Sequence, residues 1–180
     1  MRVLRLPGIH HDANVVVVTR SAGSLLINAG TSWYQALQVE RVKGQIGNDG
    51  TLDRILLSSK RYPCSGGAKH ISESFGECPV HIHEEGQAAL ETGDFFSTWA
   101  NRYDSDMPPL STEPCGPGEI FALGDGEVEA IHLHGCSPDE MGFWVKEQLM
   151  MIVGWKTNGA KSLLKIYKKK TAIIVIVIDI

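Results

Sequence analysis

The segment 54–69 carries most of the residues of this chain that could bind a ligand. A short apolar strand, residues 54–58, is predicted to lead into a helix that begins at Gly66. Backbone N–H groups at a helix start attract anions, and Gly66 and Gly67 would offer two of them. The nearby cations are Lys60, Arg61 and Lys69. The segment therefore predicts a site for a phosphate or carboxylate group, unless the glycines only form the turn and the cations face water.

Two cysteines and two histidines suggest a different chemistry, the binding of a single zinc ion. His132, His134 and Cys136 alternate along one predicted strand, so their side chains would lie on one face. Together with Cys64 they would supply four nitrogen and sulfur donors, a sufficient set for zinc. Gly135 argues against this arrangement because it breaks the alternation. The cysteines would then belong to the core, and the histidines would be paired or exposed.

A cysteine nucleophile is a third possibility for the same residues. Cys64 precedes a predicted helix, whose N-terminus would lower the pKa of the thiol, and His132 or His134 would act as the base. No paired motif supports this possibility. Ser65 is not a nucleophile elbow either, because it lacks a glycine on each side.

Two further pairs of histidines carry no clear signal. His81 and His83 would share one face of a predicted strand, and we expect them on the surface of an edge strand. His10 and His11 belong to no motif, and no role is assigned to them.

The elements that must position these residues alternate between strands and helices in the first part of the chain. Strands are predicted at 15–19, 24–28, 54–58 and 80–83, and the first two form a hairpin. Helices are predicted from Thr31 or Ser32 to Lys43, with Gly44 as the stop, and at 66–75 and 84–92. This alternation predicts α/β layering.

After residue 103 the pattern changes. Four prolines between Tyr103 and Gly118 predict a long irregular loop that forms a lid or rim over a site. Beyond it the hydrophobic period becomes two, and strands are predicted at 119–123, 127–134, 141–145, 149–153 and 172–178. The second part of the chain is therefore predicted to be a β-meander.

The composition is that of a soluble globular domain. Of the 180 residues, 43% are hydrophobic and 21% are charged, with a net charge of -4. No apolar run predicts a signal peptide or a membrane span, and four cysteines without Cys-x-x-Cys spacing predict thiols, so we expect a cytoplasmic protein. The lysines near the C-terminus have no arginines among them, so no nucleic-acid partner is predicted. A small-molecule ligand is the expected partner, and the oligomeric state is left open.

The order of elements and several motifs resemble the metallo-β-lactamase superfamily over residues 14–154. Residues 25–30 are similar to the family's strand that ends in Asp and Gly, with Asn28 at the aspartate. Residues 59–67 resemble its His-x-His-x-Asp-His loop with the following x-Gly-Gly, and residues 132–139 resemble its His-x-x-Gly-His-Ser-Pro-Gly stretch. The resemblance implies an αββα fold, in which helices lie outside two facing mixed β-sheets. It also implies kinship with hydrolases that use a dinuclear metal centre.

The resemblance does not extend to the metal ligands. The family's ligand positions correspond here to Ser59, Arg61, Pro63, Cys64 and Cys136, and its metal-bridging aspartate corresponds to Trp155. Zinc needs about four nitrogen, sulfur or carboxylate donors, and the cation of Arg61 would repel a dication. We therefore predict that the dinuclear centre is absent and that hydrolysis is lost or altered. No cofactor is expected, with the single zinc at Cys64, His132, His134 and Cys136 as the alternative.

The resemblance also defines a pocket and a domain boundary. The residues expected to line the pocket are Asn28, Ser59, Arg61, Cys64, Gly66, Gly67 and Trp155. Residues 1–155 are predicted to form the metallo-β-lactamase-like domain, and residues 156–180 a lysine-rich segment of uncertain role. The fold is expected to be incomplete at its C-terminal end, which a truncated or shifted reading frame would explain.

Overall fold

Two mixed β-sheets face each other in the computed structural model, which describes residues 1–21, 23–133, 137–148, 150–153 and 174–177. The strands of the first sheet, in their spatial order, are β1 Arg2–Leu6, β2 Val15–Arg20, β3 Gly23–Ile27, β4 Arg54–Leu56, β5 Val80–Ile82 and β6 Glu113–Pro114. The pairs β1–β2 and β2–β3 are antiparallel, which confirms the predicted hairpin. The pairs from β3 to β6 are parallel, as strands separated by helices should be.

The second sheet contains the five strands predicted after the proline-rich segment, and the strand predicted at 172–178 lies at its edge. Its strands are β7 Ile120–Leu123, β8 Gly126–His132, β9 Met141–Val145, β10 Met150–Val153 and β11 Ile174–Val177. Strands β7 to β10 pair antiparallel with their neighbours, and β11 pairs parallel with β10.

The helices begin and end at residues that differ from the predicted ones. They are α1 Gln35–Ile46, which follows a 3-10 turn at Ser32–Tyr34, α2 Tyr62–Ser65, α3 Ala68–Ser74 and α4 Glu84–Glu91. Helix α1 passes through Gly44, the predicted stop, and ends at Gly47, whose φ of 87° leaves the helical region. The predicted helix 66–75 is observed as α3, which begins two residues later, whereas the short helix α2 before it was not predicted. Between the two helices, the N–H of Gly67 bonds to the carbonyl of Gly30 at 2.9 Å.

Two strands of the first sheet were not predicted. Strand β1 is an edge strand, and only its last residue is buried. Because one face is not fully buried, the strand shows no clear alternation of apolar and polar residues from which it could be predicted. Strand β6 lies within the proline-rich segment that was predicted to be irregular. Pro114 is tolerated there because β6 forms the edge of the sheet, where one side needs no N–H donor.

Two hydrophobic cores result from the alternation of side chains along the first sheet. Val15 and Val17 face the helices, whereas Val16 and Val18 face the second sheet. The core under the helices includes Leu26, Val42, Ile55, Ile71 and Leu90. The core between the sheets includes Ile27, Leu56, Phe121, Val128 and Phe143. The predicted fold class, two facing mixed sheets with helices outside, is confirmed.

Some expectations fall outside this description. The expected C-terminal incompleteness and the boundary at residue 155 lie in the range 154–173, beyond the described residues. None of the helices in the described part of the chain combines the length and the apolar character that crossing a bilayer requires.

Candidate functional site

Asn28 directly follows β3 and holds the β4–α2 loop, residues 57–61. Its side chain is fully buried, and its φ of 63° is one that asparagine adopts more readily than most residues. The Oδ1 atom accepts hydrogen bonds from the backbone N–H of Ser58 at 3.0 Å and from the Ser58 hydroxyl at 2.8 Å. Asn28 therefore fixes the start of the loop with a neutral side chain.

Asp139 connects this loop to the β8–β9 turn, residues 137–140. Its carboxylate is fully buried and accepts hydrogen bonds from the Ser59 hydroxyl at 3.1 Å and from the backbone N–H of Lys60 at 2.6 Å. The hydroxyl of Ser137 also donates to it. Asp139 is not among the site residues predicted from the sequence. One feature of the sequence could have indicated it: Asp139 stands where the His-x-x-Gly-His-Ser-Pro-Gly motif has its last glycine.

Arg61 is buried and packs on an indole ring. Its side chain is 7% exposed, and its guanidinium carbon lies 3.4 Å from the ring centroid of Trp99. The guanidinium carbon of Arg102 lies 3.9 Å from the same centroid. Two guanidinium groups this close to one centroid would overlap on a single face, so they occupy opposite faces. The cation of Arg61 is thus held by a cation–π contact. Neither Trp99 nor Arg102 was predicted from the sequence as a site residue.

Cys64 is a core thiol and does not have the chemistry of a nucleophile. Burial raises its pKa to about 12, although the nearby hydroxyl of Ser58, 3.8 Å from Sγ, opposes this shift. Helix α2 has only four residues, so its N-terminus provides little stabilisation of a thiolate. The expectation of a lowered thiol pKa was wrong because desolvation of the charged form outweighs the helix effect.

Gly66 and Gly67 are both buried and have no free N–H group to offer an anion. The N–H of Gly66 donates to the carbonyl of Tyr62 at 2.8 Å, and that of Gly67 to the carbonyl of Gly30 at 2.9 Å. A Cβ atom on Gly67 would lie 2.6 Å from the carbonyl oxygen of Ala29. These two N–H groups are therefore not available to the predicted anion, and close packing of the backbone accounts for the glycines. The anion site itself stays a prediction.

An aromatic cluster lies beside Tyr62 at the N-terminus of α2. Tyr103 packs against Tyr62 with ring centroids 5.7 Å apart, and Trp33 makes edge contacts with both rings. The hydroxyl of Tyr62 is held by Ser32 at 2.6 Å and by Ser105 at 2.7 Å. His11 contacts Trp33 and Tyr103, so one of the unassigned histidines belongs to this cluster. Trp33 remains 45% exposed and forms the solvent-facing part of the cluster.

His81 and His83 are buried, contrary to the expectation of an edge-strand surface. Strand β6 pairs with β5, so β5 is not an edge, and His81 packs against Phe121 of the second sheet with centroids 5.1 Å apart. The Nδ1 atom of His83 accepts the N–H of Glu85 at 3.3 Å at the start of α4. Its ring stacks on His132 at 4.5 Å, and Nε2 of His132 lies 2.8 Å from the carbonyl oxygen of Pro138.

The buried imidazole of His81 leads to a prediction about pH. Burial lowers its pKa from the ordinary value of 6.5; Arg54 adds to this shift, and Glu113 and Glu119 oppose it. Because the folded protein binds this proton less readily than the unfolded chain, stability should fall as the pH drops below about 6.5. The variant His81→Leu lacks this dependence. As the pH is lowered from 7 to 5, the unfolding free energy of the variant should therefore fall less than that of the wild type. Urea denaturation at each pH measures this difference.

A matched variant controls for the substitution of a buried side chain. Met107→Leu changes a buried residue that carries no titratable group, and its difference in unfolding free energy from the wild type should stay constant over the same pH range. A parallel pH dependence in His81→Leu and the wild type would contradict the assignment.

Solved structures with the same arrangement of sheets and helices are metallo-β-lactamases and a flavo di-iron protein. BJP-1, a subclass B3 metallo-β-lactamase of Bradyrhizobium japonicum, superimposes with a TM-score of 0.62 at 20% identity and covers 73% of this chain and 49% of that chain. A metallo-β-lactamase from Cronobacter sakazakii with a HARLDQ motif gives 0.65 at 17% identity, over 79% of this chain and 56% of its own. This chain has the metallo-β-lactamase fold.

A more distant metallo-β-lactamase-fold protein extends the comparison beyond lactamases. A mutant flavo di-iron protein from Thermotoga maritima superimposes with a TM-score of 0.61 at 14% identity, over 78% of this chain and 32% of that chain. The chain thus spans about half the length of the metallo-β-lactamases it resembles. No protein-family model and no curated protein matches the sequence.

The residues of the metallo-β-lactamase ligand loop do not fit a dinuclear metal centre. The Ser59 hydroxyl is bonded to Asp139, Arg61 is a cation, and Pro63 carries no donor atom. Among the described residues, no three His, Cys, Asp or Glu side chains are grouped as a metal ion would need. His134, Cys136 and Trp155 lie outside the described residues, so the predicted single zinc site and this part of the predicted pocket stay predictions.

Proposed function

We propose that this chain is a metallo-β-lactamase-fold protein without the dinuclear centre, and that it does not carry out metal-dependent hydrolysis. The proposal rests on the contacts that the side chains of Ser59 and Arg61 make in the β4–α2 loop. Ser59 stands at the first ligand position and donates its hydroxyl to Asp139, while Arg61, at the second, stacks on Trp99. Both side chains are engaged by other groups of the protein, and neither is a zinc ligand.

The neighbour with the HARLDQ motif supports the proposal through a comparison of the two loop sequences. Residues 59–64 read Ser-Lys-Arg-Tyr-Pro-Cys, so both sequences have arginine in third place. An arginine at this place is therefore present in a protein that is named a metallo-β-lactamase. That motif still has histidine first and aspartate fifth, where this chain has Ser59 and Pro63. The loss of these donors, more than the gain of Arg61, supports the proposal.

Metal content and hydrolysis test the proposal directly. Untagged protein dialysed against zinc should hold well under about 0.2 zinc per chain, since a bound structural or catalytic zinc is close to stoichiometric. It should not hydrolyse a chromogenic β-lactam, with or without added zinc. About two zinc ions per chain together with zinc-dependent hydrolysis would overturn the proposal.

The alternative single zinc site has its own signature in the same experiment. About one zinc per chain that is lost on Cys64→Ser with Cys136→Ser would assign the site of Cys64, His132, His134 and Cys136. Cys78→Ser with Cys115→Ser is the matched control, because both of these thiols are buried and belong to no proposed site. Equal zinc loss in the two double variants would indicate adventitious binding by thiols and would leave the proposal standing.

A non-catalytic binder of a small anion was the other alternative. The bonded N–H groups of Gly66 and Gly67 remove the donors on which it depended. We expect inorganic phosphate at millimolar concentration to leave the melting temperature unchanged. A rise that saturates with phosphate would instead restore this alternative.

A further inference from the structure

The geometry points to Asp139 as the group that ties the β4–α2 loop to the β8–β9 turn without a metal. This inference rests on the proposed function, because it concerns how the site is held together when no dinuclear centre joins its loops. The carboxylate is fully buried and accepts hydrogen bonds from Ser59, Lys60 and Ser137. A single side chain thereby contacts two loops that arise from different sheets.

Both oxygens of the carboxylate take part. The Oδ2 atom accepts the Ser59 hydroxyl and the Lys60 N–H from the first loop, and Oδ1 accepts the Ser137 hydroxyl from its own turn. Hydrogen bonds to a carboxylate are stronger than those between neutral groups. Three donors, one of them a backbone N–H, can therefore stabilise the buried negative charge without a cation.

The turn that carries Asp139 is itself fixed by backbone hydrogen bonds. The N–H of Met141 donates to the carbonyl of Ser58 at 2.8 Å, and the N–H of Leu133 donates to that of Glu140 at 2.8 Å. The position of the carboxylate is thus set by the second sheet. Through its hydrogen bonds to Ser59 and Lys60, the carboxylate in turn fixes the position of the β4–α2 loop.

The backbone of Arg61 is linked to the same carboxylate through the hydroxyl of Ser59. While the Ser59 hydroxyl donates to Asp139, its oxygen accepts the backbone N–H of Arg61 at 3.2 Å. This chain of two bonds orients the backbone from which Arg61 reaches Trp99. Asp139 is therefore a positioning residue, and it acts at the place where the metal ligands of the similar motif would stand.

Hydrogen exchange of single amides tests this role. In Asp139→Asn the Lys60 amide should exchange at least about tenfold faster than in the wild type, because its charged acceptor is replaced by a neutral one. Amides of β2, such as those of Val16 and Val18, should keep their protection, which separates local release from global unfolding. The melting temperature of Asp139→Asn should be lower than that of the wild type by about 5 to 10 °C, and added zinc should not raise it again.

Two variants keep the test decisive. Asp106→Asn, at an exposed aspartate, is the matched control and should melt within about 1 °C of the wild type. If Asp139→Asn fails to fold, Ser59→Ala removes one donor only and should still speed exchange of the Arg61 amide. An unchanged Lys60 amide in a folded, zinc-free Asp139→Asn protein would overturn this inference alone. About two zinc ions per wild-type chain, together with zinc-dependent hydrolysis, would overturn the proposed function instead.

Discussion

Asp12→Ala is expected to lower the free energy of unfolding by about 3 to 5 kcal/mol, the largest effect we predict for a single substitution. The Asp12 carboxylate is 2% exposed and accepts hydrogen bonds from the backbone N–H and the hydroxyl of Thr31, and from the side-chain amide of Gln38 at 3.0 Å. Alanine would leave these buried donors without an acceptor. Urea denaturation followed by circular dichroism measures the change.

Asp12 is important because it holds the turn that follows β3. Gly30 in this turn has a φ of 72°, and a Cβ atom there would lie 2.8 Å from the Asp12 carboxylate. The carbonyl of Gly30 in turn accepts the N–H of Gly67, so the turn also positions the start of α3. The control is Asp49→Ala, an exposed aspartate, which should change stability by less than about 0.5 kcal/mol. Similar losses in the two variants would contradict the role given to Asp12.

Gly67→Ala is expected to destabilise the protein by about 2 to 4 kcal/mol. The added methyl group would lie 2.6 Å from the carbonyl oxygen of Ala29 and 3.1 Å from that of Thr31. Both contacts are with backbone atoms, which cannot rotate away as a side chain would. The shift in the urea midpoint, at an unchanged slope, gives the loss.

Gly44→Ala is the matched control for Gly67→Ala, because it makes the same chemical change in a different environment. Gly44 lies within α1, and a Cβ atom there would meet no atom within 4 Å. Alanine should therefore raise stability by about 0.5 to 1 kcal/mol through its higher helix propensity. Opposite signs for the two glycines would confirm that packing, and not chain flexibility, requires Gly67.

The sequence predicted most of the elements but placed several helix ends wrongly. Strands β2, β3, β9 and the helix at Glu84–Glu91 follow directly from hydrophobic period and from turn residues. Gly44 was interpreted as a stop, although a glycine in an exposed helical position costs only about 1 kcal/mol and does not end the helix. Strand β6 could not be predicted, because a two-residue edge strand containing Pro114 has no local signal and depends on pairing with β5.

The motifs around Asn28 and residues 59–67 predicted the fold, which the structure confirms. They could not predict the hydrogen bonds and contacts that these residues make. The pKa of Cys64 was misjudged because burial depends on the second sheet, which covers that thiol. Trp99 and Arg102 were missed because both follow α4 in the sequence, and Trp99 contacts Arg61 on one face and Arg102 on the other only in the folded chain.

The sequence by itself determined which side chains are available, and therefore that Ser59, Arg61 and Pro63 cannot hold zinc as the similar motif does. Only the tertiary structure decided what these residues bind instead. Asp139 is 80 residues from Ser59 along the chain, and its carboxylate meets the Ser59 hydroxyl because the second sheet packs on the first. Periodicity describes neighbours along one element, whereas a hydrogen bond between two loops depends on how the sheets stack. The loop sequence therefore shows which donors of the similar motif are absent from residues 59–63, and the fold shows that the Asp139 carboxylate holds the loop.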